Sequence, residues 1–181
     1  MDRRGHIARG FTILEMIAVI TIVGLVAVSV VPATARINDA RKLAGVYEIA
    51  RTMEYARARA AARGMPSGVR FDSELDSVQV MDIDDSGDPI NGTDGLGLDV
   101  SPIEVNEQFG TDIQRVTMTT GVLSAGSLDR NTVWFRNSSE PHMRSETGEF
   151  SAVLSADMTV SFGVSAVITL RSPSGLVEVS R

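Results

Sequence analysis

Cysteine is absent from the chain. That excludes a disulfide framework and any zinc or redox site built on thiolates. Histidine numbers two, and only His142 lies beyond the first ten residues. With Glu140 and Pro141 beside it, His142 reads as part of a surface loop, and no nucleophile-elbow motif accompanies it, so the sequence offers no catalytic centre. Positive charge is scarce in residues 64–181, where seven basic residues face eighteen acidic ones. A surface of that sign repels nucleic-acid phosphates. Residues 33–63 have the opposite balance, seven basic against three acidic. Between residues 11 and 31 charge is missing altogether, except for Glu15.

That run of 21 residues is long enough, at 1.5 Å per helical residue, to cross a hydrocarbon core of about 30 Å. Arg3, Arg4 and Arg9 precede it, so the positive-inside rule keeps the N-terminus cytoplasmic and sends the rest across. Three kinds of processing compete. A secretory signal peptide would be cut after Ala33-Thr34-Ala35 and release a soluble exported binding domain. Its apolar region, however, is ordinarily about 7 to 15 residues long. An uncleaved signal anchor accounts for the length and the arginines but not for Glu15, because an acid inside a span costs on the order of 3 kcal/mol unless it is paired.

The third kind accounts for both. Arg9-Gly10-Phe11-Thr12-Ile13-Leu14-Glu15 resembles the cleavage motif of type IV prepilins and type II secretion pseudopilins, in which a short basic leader ends in Gly and the mature chain begins with Phe. The resemblance implies that a membrane-embedded prepilin peptidase cuts after Gly10 and N-methylates Phe11. It gives Glu15 a partner in the new α-amino group of a neighbouring subunit, and it places Pro32 where many pilin helices bend. A buried acid matched only by a second subunit makes assembly register-specific. The implied partners are the lipid bilayer, other pseudopilins, the prepilin peptidase and the inner-membrane assembly platform.

Residues 33–63 contain neither proline, beyond the Pro32 that precedes them, nor any turn cluster, and they are rich in alanine, which favours continued helix. Ile37, Ala40, Leu43, Ala44, Tyr47, Ala50 and Met53 recur at three- and four-residue spacing and predict one buried face. Glu48–Arg51 and Glu54–Arg57 are predicted surface pairs, and Gly64 with Pro66 marks the stop. The helix from Phe11 to Arg63 would span about 80 Å.

After Gly64 the period changes to two. Val69 and Phe71, Val78 and Val80, and Val116 and Met118 each alternate with polar neighbours. Short apolar runs follow at 133–135, 160–162, 164–170 and 176–179. The last two flank Ser172-Pro173-Ser174-Gly175, which predicts a closing hairpin. The fold class expected is therefore α+β and pilin-like, a long N-terminal helix on an antiparallel β-sheet head. Its parts are a leader (1–10), a membrane and assembly helix (11–32), an amphipathic continuation (33–63) and a periplasmic head (64–181). Trp134 and Phe135 are assigned to the sheet core. The helix end, with Ala60-Ala61-Ala62-Arg63-Gly64-Met65-Pro66 leading into a strand at Phe71-Asp72, and the closing hairpin are similar to the GspH/FimT family of minor pseudopilins and minor type IV pilins.

Two further sites are weighed in the head. Asp82, Asp84 and Ser86 occupy positions 1, 3 and 5 of an EF-hand-like loop, with Gly87 at position 6 and Asp88 following, which makes calcium a candidate ligand. The pattern fails at position 12, where Thr93 stands in place of a bidentate Glu. The alternative is a solvated acidic loop over residues 82–99. Arg57, Arg59 and Arg63, with Arg51, could form a basic strip for DNA, or a solvated face interleaved with glutamates. FimT-like pilins that take up DNA carry an arginine-rich last strand, whereas this chain ends Gly175-Leu176-Val177-Glu178-Val179-Ser180-Arg181. A FimT-like minor type IV pilin, acting in pilus priming or DNA uptake, is accordingly the alternative to a secretion role, with DNA binding its weaker part.

Overall fold

The computed structural model describes residues 12–94, 96–118, 129, 131–145, 147–163 and 165–181, leaving out the side chains of residues 28–34 and 152. Its first helix, α1, spans Ile13–Arg63. The helix stops where expected: Gly64 adopts a φ of 68° and its N–H bonds the Ala60 carbonyl at 3.0 Å, a left-handed C-terminal cap that glycine enters without a Cβ clash. The chain divides into two compact units, Met1–Asn38 and Asp39–Arg181.

In the first unit the described large apolar side chains are exposed, from 82% at Ile13 down to 50% at Val19. Among the described residues no helix is long and apolar enough to cross a membrane. Of the apolar run predicted over residues 11–31, Phe11 and the side chains of residues 28–31 lie outside the described residues.

The second unit holds the core. From α1 it takes Val46, Ile49, Met53, Ala56 and Ala60, all fully buried. This face overlaps the predicted one at Ala50 and Met53, both buried, and differs from it elsewhere. Ile37, Ala40, Ala44 and Tyr47 are exposed, and Leu43 is half-buried. Alanines fit either face equally well, so the pattern alone left the choice open. Val46 and Ile49 bring more apolar area to the sheet than Ala44 does, while Tyr47 keeps its hydroxyl in water. The helix also meets a short one, α2 (Val105–Phe109), at Gly45, where a Cβ would lie 2.7 Å from the Phe109 Cβ. Arg41 fixes the crossing by donating to the Gln108 and Glu107 carbonyls at 2.8 and 3.2 Å.

Among the described residues eleven strands follow the helix. One sheet is ordered β3-β2-β1-β6-β7-β8, with β4 also paired to β2. Its strands are β1 (Ser67–Phe71), β2 (Ser77–Ile83), β3 (Pro89–Asn91), β4 (Ile103–Glu104), β6 (Thr132–Phe135), β7 (Pro141–Arg144) and β8 (Phe150–Val153). The second sheet is ordered β11-β10-β9-β5, from β5 (Ile113–Thr117), β9 (Met158–Phe162), β10 (Val167–Leu170) and β11 (Val177–Ser180). All these pairs are antiparallel, so the expected class, a helix on antiparallel sheet, is what the chain forms. The closing hairpin pairs Val167 with Ser180 through Leu170 with Val177. Residue 164, part of a predicted apolar run, lies outside the described residues.

Strand alternation divides the first sheet into two faces. Val69, Phe71, Val133 and Phe135 join the helix-side core. Trp134 does not, although it is 1% exposed. With Phe135 inward, Trp134 must point to the opposite face, where it pairs across the strands with Gly68 and His142. The expectation of a loop around His142 is corrected as well. His142 is a buried residue of β7 whose Nδ1 lies 3.0 Å from the Ser151 carbonyl oxygen.

Candidate functional site

At its start, α1 carries a capping box. The Thr12 backbone N–H and hydroxyl both reach Glu15 Oε2, at 3.0 and 3.1 Å, and the Glu15 N–H lies 3.3 Å from Thr12 Oγ1. Two backbone donors that a helix N-terminus otherwise leaves unmatched are thus satisfied reciprocally. Sequence reading gave Glu15 an intersubunit partner and overlooked this local role, although Thr-x-x-Glu at the edge of an apolar run was the signal. Among the described residues, Oε1 takes no hydrogen bond. Gly10 and Phe11 lie outside the described residues, as does the side chain of Pro32, through which the helical backbone continues.

The two candidate sites of the head prove to be one structure. Arg59 grips Asp82 through Nε, at 3.0 and 3.2 Å, and through Nη2, at 2.6 Å. Arg63 adds Nη1 at 2.8 Å, and the Thr93 N–H approaches at 3.4 Å. The Arg59 and Asp82 side chains are 10% and 5% exposed, that of Arg63 44%. Burial pushes the Asp82 carboxyl up, but the hydrogen bonds and charge of Arg59 outweigh it and hold the group below its ordinary 3.8. The hydrogen bond to Asp82 raises Arg59 in turn. Arg57 donates from Nη1 to the Gly175 carbonyl at 2.8 Å, tying the helix to the β10–β11 turn.

These contacts decide what the named residues are free to do. Asp82 faces α1 as an ion-pair acceptor, not its own loop. Asp84 Oδ1 accepts the backbone N–H groups of Ser86 and Asp88 at 2.9 and 2.8 Å, closing its own turn. Among the described residues no three acidic or histidine side chains converge as metal ligands would. The arginines make no open strip for DNA either: Arg59 and Arg63 hold Asp82, and Arg57 holds Gly175 with Glu54 3.9 Å away. In the last hairpin Arg171 bridges Asp157 and Glu178, each at 2.7 Å.

One site escaped the sequence reading. The outer face of the first sheet bears a cleft of about 800 Å³, lined among others by Arg70, Trp134 and Arg144. Alternation with Val69 and Phe71 already placed Arg70 on an outward face. That Arg144 lies two strands away required β7, which the sequence did not suggest.

No family model and no curated protein matches the chain. Two solved structures of the minor pseudopilin EpsH from the type II secretion system of Vibrio cholerae resemble it in part. One is 10% identical with a TM-score of 0.46, covering 77% of this chain and 94% of that one. The other is 12% identical with a TM-score of 0.48, covering 79% and 94%.

Proposed function

We propose that the chain is a minor pseudopilin, a membrane-stored subunit that enters a periplasmic filament of the type II secretion kind and works by assembly and contact, without chemistry of its own. The observation that carries the reading is the course of α1. The helix opens on a capping box that begins at Thr12, directly after the Gly10-Phe11 motif, and runs unbroken to Arg63. Its first described turns bear bare apolar side chains, and its last turns are the core of a β head. Bare apolar surface of that extent needs lipid or other subunits to cover it.

In this reading the peptidase hydrolyses the Gly10–Phe11 bond and methylates the freed amine of Phe11. Residues 11–32 are held in the inner membrane with the N-terminus cytoplasmic and the head periplasmic. On assembly, Glu15 receives the charged amine of a neighbour through Oε1 while Oε2 keeps capping its own helix. The acid is thereby neutralised in a place where an unpaired charge is costly.

The test is the intact mass and N-terminal sequence of the protein purified from its own membranes. The expected chain begins with methylated Phe11. A chain beginning at Arg36 would make this a soluble exported domain and refute the filament reading.

A further inference from the structure

The outer cleft holds two guanidinium groups that no carboxylate among the described residues meets at ion-pair distance. Arg144, on β7, is 8% exposed. Its Nε donates to the Gly148 carbonyl at 3.2 Å and its Nη2 to that of Gly87. Its guanidinium carbon lies 5.9 Å from the Trp134 ring centre and 5.8 Å from that of Phe150. Carbonyls and ring faces satisfy hydrogens and soften the charge, but they do not neutralise it. Arg59, by contrast, with a side chain 10% exposed, has the Asp82 carboxylate as counter-charge at 2.6 Å. Among the described residues no carboxylate pairs with Arg144 or with Arg70.

Arg70 stands on β1, across β6 from Arg144, two strand spacings or about 10 Å away at the backbone. Its Nε donates to Thr132 Oγ1 at 3.3 Å. Trp134 lines the cleft between the two strands, and among the described residues its buried Nε1–H has no acceptor. A buried donor left without an acceptor is destabilising unless a guest supplies one.

The remaining wall fixes the charge of that guest. Asp88 and Asp129 also line the cleft. Asp129 accepts from the Asn131 N–H at 3.0 Å and from the Thr132 hydroxyl at 2.6 Å, neither of which brings it a counter-charge. A doubly charged phosphate would be drawn by two arginines and repelled by two aspartates. A singly charged carboxylate suits the balance better, because planar oxygens match guanidinium donors.

We infer that this cleft binds a carboxylate between Arg70 and Arg144, carried either by a free organic acid or by a glutamate of a peptide segment. The site owes nothing to the filament reading and stands if that reading fails. Trp134 is the only tryptophan, so its emission reports occupancy. The full chain in detergent micelles is titrated with glutarate, with acetyl-Gly-Glu-Gly-amide and with inorganic phosphate. A saturable change with at least one carboxylate is expected, weakened about tenfold or more in Arg70→Gln. Tighter binding of the peptide assigns a protein segment as the guest, and tighter binding of glutarate a free acid. The bound carboxylate should also raise the melting temperature of the unsubstituted chain, a readout that does not depend on how the variant folds. The inference is overturned by no saturable response to either carboxylate up to about 10 mM, by an unchanged response in Arg70→Gln, or by phosphate binding more tightly than both.

Discussion

Replacing Asp82 by Asn removes one charge and almost no volume, so it isolates what the Arg59–Asp82–Arg63 cluster contributes to the head. Arg59, with a side chain 10% exposed, would be left buried without a counter-charge. Breaking a buried pair in this way costs about 3 to 5 kcal/mol. Arg63 is 44% exposed and lets water reach one side of the cluster, which puts the expected loss near the lower bound, about 3 kcal/mol. For a unit of this size that is a fall of about 10 °C in melting temperature. Arg63→Gln removes the exposed partner and should cost under about 1 kcal/mol. Urea unfolding followed by the emission of Trp134 measures both, since that residue is buried in the same unit.

The pH dependence has a definite sign. The folded Asp82 carboxyl titrates below its ordinary 3.8, so the stability it supplies is complete above that value and is lost as the pH falls through the folded pKa. The gap between the unsubstituted chain and Asp82→Asn should stay constant from neutral pH down to about pH 5 and close below about pH 4. A gap of under about 0.5 kcal/mol at neutral pH, or an Arg63→Gln variant as unstable as Asp82→Asn, would refute the argument.

Two other outcomes follow from the same contacts. Gly175→Ala places a Cβ at a φ of 68° and against the Ser139 carbonyl oxygen, beside the Arg57 stem, so it should cost about 2 kcal/mol or more in the same urea assay; an unchanged midpoint would contradict the turn geometry. Because Asp82 is held by α1 and Asp84 by its own turn, millimolar calcium and chelator should leave the melting temperature within about 1 °C of each other, whereas a clear rise with calcium would show the acidic loop to be a metal site.

The C-terminal end of α1 and the closing hairpin were legible because their signals are local. Gly64 ends the helix through its own φ, and the turn at 172–175 carries its own Pro and Gly. The period-two stretch at Val69–Phe71 and the short apolar run at Val133–Phe135 likewise announced strands. The β7–β8 pair was not legible, since Pro141-His142-Met143-Arg144 alternates no more clearly than a loop does. All four of these residues are buried, and it is their neighbours in the sheet that make them so.

By itself, then, the sequence determined the features set by neighbours along the chain. These are the uncharged run with Glu15 at its head, the length of α1, the strand periods, and the acidity of residues 64–181. Tertiary structure alone decided which face of α1 is buried, because alanines satisfy either and only the sheet's apolar surface distinguishes Val46 and Ile49 from Ala44 and Tyr47. It also decided that Asp82, read as part of an acidic loop, belongs to Arg59 and Arg63, read as parts of a basic strip. And it brought Arg70 and Arg144 to one cleft through the order of β1, β6 and β7. A charge chooses its partner by distance and burial, and both are fixed by strand order and register, which no single stretch of the chain contains.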